Sequence, residues 1–125
     1  MERTFLVVGS LSAALAVGLG AFGAHGLRDR LTPEMLAVFE TGVRYHLVHA
    51  LALVVVALVA ARWPQAPAVG LAGWAFVAGT VLFSGSLYLV AVTGTRWLGA
   101  ITPLGGAAFL VGWLALAWSA WRLAP

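Results

Sequence analysis

Between Phe5 and Ala24 the chain carries no charged side chain. Wound as a helix at about 1.5 Å per residue, such a run covers the roughly 30 Å hydrocarbon core of a bilayer. The feature recurs along the chain, and spans are expected at 5–24, 43–61, 68–92 and 101–121. Only 9% of the 125 residues are charged, against about 25% in an ordinary soluble domain, which leaves too little polar surface to face water. The reading is an all-α integral membrane four-helix bundle forming one domain over 1–125. A cleaved signal peptide is the rival account of the first run, but its apolar core is shorter than this.

Local signals punctuate the spans. Thr32 is an N-cap, Pro33 suits the first helical position, and Glu34 complements the positive end of the helix dipole. A helix from Pro33 to Ala61 would be about 43 Å long, more than hydrocarbon requires, so part of it lies outside. Met35, Val38 and Phe39 form an apolar stripe beside polar Glu34, Glu40 and Thr41. A short amphipathic interfacial helix over 33–41, bending at Gly42, is therefore expected between helices one and two. Arg62, Trp63, Pro64 and Pro67 make the second connection, and Thr93, Gly94, Thr95 and Arg96 the third. Pro103 starts or kinks the fourth span, and Trp118, Trp121 and Arg122 anchor its exit.

Four spans place the first and third connections on one membrane face and both termini on the other. Polar side chains crowd the former. His25, Arg44, Tyr45, His46, His49, Ser84, Ser86, Tyr88 and Thr102 are the candidate cluster or ligand site, because ionisable groups within membrane helices are costly unless paired, wet or turned inward. His25 is expected beside Tyr45, His49 and the serines, and Arg44 beside Glu40 at a favourable four-residue spacing. The preferred reading is hydrogen-bonded glue that closes the bundle, with a small polar ligand or lipid headgroup as the alternative. No catalytic constellation is assigned. Ser84 or Ser86 with His49 lacks a carboxylate to orient the histidine.

Small residues recur every four positions at Ser12, Ala16, Gly20 and Ala24, a ladder that lets another helix approach closely. Gly18, Gly20 and Gly23 satisfy G-x-G-x-x-G literally, but no strand precedes them and they lie inside a span, so nucleotide binding is set aside. With no Cys in the chain, thiolate metal sites, disulfides and Cys nucleophiles are excluded. The seven basic residues give a formal charge of +3 but are scattered, which argues against a nucleic-acid partner. His25, His46 and His49 without a nearby carboxylate or thiol are a weak basis for metal or haem, and no metal or cofactor is assigned.

Four strings stand out together: Gly20-Ala21-Phe22-Gly23-Ala24-His25-Gly26-Leu27, Arg44-Tyr45 followed by His49-Ala50-Leu51, Phe83-Ser84-Gly85-Ser86-Leu87-Tyr88, and Ile101-Thr102-Pro103-Leu104-Gly105-Gly106. In these the chain resembles domain-of-unknown-function family 423, small four-span bacterial membrane proteins similar to eukaryotic transmembrane protein 256. The resemblance implies fold and residence in a bacterial plasma (inner) membrane, but no activity. The family commonly has Gln where this chain has His46, which weakens a metal role resting on that residue. The expectation is a non-enzymatic structural, accessory or lipid-interacting bundle, with membrane lipids and a second copy of the chain as partners. The alternatives are a small oligomeric transporter or channel for a solute or anion, with Ser84, Ser86 and Thr102 on its path, and a His-based metal or haem protein. Arginines are nearly balanced between the two faces, so the positive-inside rule does not orient the chain. Cytoplasmic termini are expected from the habit of four-span bacterial proteins.

Overall fold

A computed structural model describes residues 1–123. Among them, four helices are long and apolar enough to cross a membrane: α1 (Glu2–His25), α2 (Pro33–Arg62), α3 (Val69–Thr93) and a fourth that enters through a 3₁₀ turn at Arg96–Ala100 and continues as α4 (Thr102–Trp121). Strands are absent from the described residues. Local chemistry sets the boundaries. The Thr32 side chain accepts from the Met35 N–H at 3.2 Å and Pro33 opens α2, while Gly94 ends α3 at φ 71°, a left-handed turn that glycine adopts without a Cβ penalty.

The expected interfacial helix over 33–41 is not a separate element, and Gly42 does not interrupt the helix. Helical structure runs unbroken from Pro33 to Arg62. A single glycine costs a helix only about 1 kcal/mol relative to alanine, too little to break one packed on both sides. Gly42 serves contact instead: a Cβ there would lie 2.8 Å from the Tyr88 ring, and its carbonyl accepts from Ser84 at 2.7 Å. At about 45 Å, α2 is longer than the roughly 30 Å hydrocarbon core, and its first turn carries the charged Glu34. There Glu34 meets Arg96 of the 3₁₀ turn at 3.4 Å. Glu40 and Arg44 are exposed and, despite their spacing, form no ion pair with each other or with any other of the described residues.

Helix α2 is the spine. Helix α1 lies along one side of it, α3 along another, and α4 packs chiefly on α3. Four of the fifteen glycines in this chain are covered by buried phenylalanines, one from each helix. Phe5 of α1 covers Gly73 of α3, Phe39 of α2 covers Gly23 of α1, Phe76 of α3 covers Gly112 of α4, and Phe109 of α4 covers Gly79 of α3. Lipid tails are as apolar as leucine, so helices associate here through close van der Waals contact, and a ring laid on bare backbone supplies it.

The small-residue ladder holds only in part. Ala16 is 1% exposed, Ser12 and Gly20 are half-buried, and Ala24 faces outward. Four-residue steps drift about 40° each on a helix of 3.6 residues per turn, so three steps carry the row off the contact face. Gly9 and Gly23 take over: a Cβ on Gly9 would lie 3.0 Å from the Ala50 carbonyl oxygen, and one on Gly23 would lie 2.9 Å from the Phe39 ring. Gly18 meets nothing.

Midway along α3 the helix widens into a π turn over Thr80–Ser84, where the Gly85 N–H donates to the Thr80 carbonyl five residues back. The widened turn presses the Phe83 backbone against Gly105 of α4 and points Ser84 at α2. One turn thus serves two neighbours on different sides.

Candidate functional site

The polar residues divide between two groups, each built on a histidine of α2. His46 and His49 are both 4% exposed. Three residues apart on a helix, they lie about 60° from each other around the axis and serve different neighbours.

His46 faces α1 and α3. Its Nδ1 lies 2.9 Å from the Tyr88 hydroxyl and its Nε2 lies 3.0 Å from Ser12 Oγ. Ser12 was expected only as a packing residue. The signal that could have found it is a depth count: Ser12 is fourteen residues before Gly26 and His46 fourteen after Thr32, so antiparallel helices joined there bring the two level. The group lies well inside the span. Ser12 lies ten residues from the Glu2 end of α1 and thirteen from the His25 end, about 15 and 20 Å along the axis.

His49 faces α4. Its Nδ1 lies 2.7 Å from the Tyr45 carbonyl, and its Nε2 accepts from the Trp113 indole at 3.0 Å. A carbonyl only accepts and an indole N–H only donates, so His49 is fixed as the neutral tautomer with its proton on Nδ1. The ring also lies flat on Phe109, with centroids 3.5 Å apart and planes 8° from parallel. Trp113 was missed because an indole amid apolar residues reads as a lipid-facing aromatic.

The hydroxyls expected beside His49 bond elsewhere. Ser84, fully buried, donates to the Gly42 carbonyl across to α2. Ser86 donates to the Phe83 carbonyl at 2.9 Å, so the Thr102 hydroxyl 2.5 Å away donates to Ser86, tying α3 to the start of α4. His25 joins neither group. It is exposed, since it stands about 200° around α1 from buried Gly23. Arg44 and Tyr45 are exposed too, and Tyr45 lays its ring against Phe83 at 4.5 Å between centroids. Among the described residues no three His, Cys, Asp or Glu side chains converge as metal ligands.

Two open crevices flank these groups. One, of about 540 Å³, separates α1 from α3; Leu11, Leu15, Leu19, Leu53, Val77 and Val81 give it apolar walls, Gly85 leaves a gap in one of them, and Ser12, His46, Thr80 and Tyr88 are its polar members. The other, of about 650 Å³, separates α2 from α4 beside Tyr45, His49 and Trp113. Neither is lined by Ser84, Ser86 or Thr102. No buried side-chain nitrogen or oxygen among the described residues lacks a hydrogen-bond partner.

A protein family described as "Protein of unknown function (DUF423)" matches residues 19–106, which take in both histidine groups except Ser12, Phe109 and Trp113. The chain is 53% identical over 112 residues to the UPF0382 membrane protein YwdK of Bacillus subtilis, covering 90% of this chain and 91% of that one. It is 46% identical over 114 residues to a UPF0382 membrane protein of Staphylococcus epidermidis, covering 91% and 92%. A UPF0382 membrane protein of Staphylococcus saprophyticus is 44% identical over 114 residues, covering 91% and 93%. No solved structure matches the chain.

Proposed function

Because this chain belongs to the DUF423 family of membrane proteins, and because its intramembrane polar groups are bonded to one another, we propose that it is a lipid-interacting bundle that holds an apolar chain in the crevice between α1 and α3. The observation that carries this reading is the crevice itself. Its walls are largely aliphatic, and it opens to the outside of the bundle between α1 and α3. A gap of this size in hydrocarbon is filled, since unfilled space forfeits dispersion contacts on every wall. The seven arginines belong to the helix ends and the connections, apart from exposed Arg44, and none lines this crevice. That favours a lipophilic occupant over a path for anions.

Gly85 supplies the test. It lines the crevice, a Cβ there meets nothing within 4 Å, and its φ of −59° suits any residue. Gly85→Leu fills the crevice without straining the helix. Native mass spectrometry of the wild-type protein released from membranes is expected to retain a lipid-sized adduct that the variant lacks. Equal retention by both contradicts the proposal.

A further inference from the structure

Counting protons in the Ser12–His46–Tyr88 group exposes an imbalance. Neutral imidazole brings one N–H, and each hydroxyl brings one O–H, so three donors serve two hydrogen bonds. With the proton on Nδ1, His46 donates to Tyr88 and Ser12 donates to Nε2, leaving the Tyr88 O–H over. With the proton on Nε2, His46 donates to Ser12 and Tyr88 donates to Nδ1, leaving the Ser12 O–H over. Unlike His49, whose partners fix one tautomer, His46 sits between two hydroxyls that each donate or accept. In both arrangements one O–H has no acceptor among the described residues, although every heavy atom of the group has a partner.

The surplus proton borders the α1–α3 crevice, which Ser12 and Tyr88 both line. Thr80, the remaining polar member, donates to the Phe76 carbonyl at 2.9 Å and so has spent its own proton. A hydroxyl without an acceptor in hydrocarbon costs free energy that an incoming oxygen would restore. We propose that this group recognises a neutral lipophile carrying a carbonyl oxygen, a molecule of the quinone class, seated in the crevice with its oxygen on the free O–H. This deepens the lipid-binding reading and rests on it.

Depth and charge select that chemistry. Ser12 lies about 15 Å or more from either end of α1, whereas glycerol holds the ester carbonyls of ordinary lipids near the interface. An anionic headgroup at this depth would need a cation, and none lines the crevice. A neutral carbonyl on an untethered apolar body meets both limits, and the swap between tautomers lets the free O–H face it from either end of the group.

The full chain in lipid nanodiscs, loaded with graded decylubiquinone or with carbonyl-free decylbenzene, tests this by native mass spectrometry of the bound fraction. Replacing all three polar partners together, Ser12→Ala with His46→Leu and Tyr88→Phe, removes every donor while leaving no orphaned partner, so the bundle should persist. The triple variant is expected to bind decylubiquinone about five- to tenfold more weakly and decylbenzene unchanged. The infrared carbonyl band of bound quinone should move to lower frequency only in the wild type. Unchanged quinone affinity and carbonyl band in the triple variant, with Gly85→Leu still excluding both probes, overturns the recognition inference and leaves the crevice reading intact. Binding of both probes unaffected by Gly85→Leu overturns both. Should the triple variant fail to fold, the infrared band of quinone in the wild type decides alone, and a band at the position seen in empty nanodiscs overturns the inference.

Discussion

If phenylalanine rings laid on glycine hold this bundle together, a single methyl group at one of those glycines should be felt. At Gly112 a Cβ would lie 2.5 and 2.6 Å from two carbons of the Phe76 ring, where 3.4–4 Å is ordinary contact. Phe76 is fully buried and borders both Trp113, with ring centroids 4.9 Å apart, and His49, at 5.5 Å, so the ring has nowhere to withdraw. Overpacking of this kind costs roughly 1–3 kcal/mol. Alanine also returns up to about 1 kcal/mol of helix propensity, which partly masks the clash. Gly18→Ala supplies that gain alone, since nothing lies within 4 Å of its Cβ. The difference between the two variants in detergent unfolding, followed by tryptophan fluorescence, should therefore be about 1–3 kcal/mol. In a Phe76→Leu background the penalty at Gly112 should shrink, giving a coupling energy of about 0.5–3 kcal/mol. Equal stability of Gly112→Ala and Gly18→Ala, or zero coupling, refutes ring-on-glycine packing.

Trp113→Phe keeps the aromatic bulk but strips His49 Nε2 of its donor, and unfolding should show a loss of about 1–3 kcal/mol that a paired His49→Leu largely restores. Arg96→Ala should cost less than about 1 kcal/mol, because both side chains of the Glu34 pair are mostly exposed, and the loss should fade in high salt. A Gln65→Cys variant in intact cells should resist membrane-impermeant thiol reagents if the termini and second connection are cytoplasmic; ready labelling reverses the orientation.

The helices were legible because hydrocarbon imposes a length and a ban on charge that any sequence must display. The continuity of α2 was not, since the Gly42 signal resembles a hinge whether the residue bends the chain or seats Tyr88. His46 and His49 stand out in the sequence as ionisable groups in an apolar run, but their partners do not. Ser12 is small enough to pass for packing and Trp113 apolar enough to pass for a lipid anchor, and only the antiparallel count reveals the first of them. His25 and the Glu40–Arg44 pair failed for a common reason. Sequence spacing says which residues are neighbours on a surface but not whether that surface is buried, and exposed polar groups gain little from meeting.

The central claim, that the crevice between α1 and α3 seats an apolar chain, is tested most directly by photolabelling in nanodiscs with a diazirine-bearing alkyl chain, followed by peptide mapping. Leu15 and Val81 line the crevice, while Leu58 of α2 and Leu114 of α4 are similarly exposed away from it. Labelling is expected to concentrate at Leu15, Val81 and their crevice neighbours, and to fall to the level of Leu58 and Leu114 in Gly85→Leu. Uniform labelling of all four positions, unchanged by Gly85→Leu, would contradict the account.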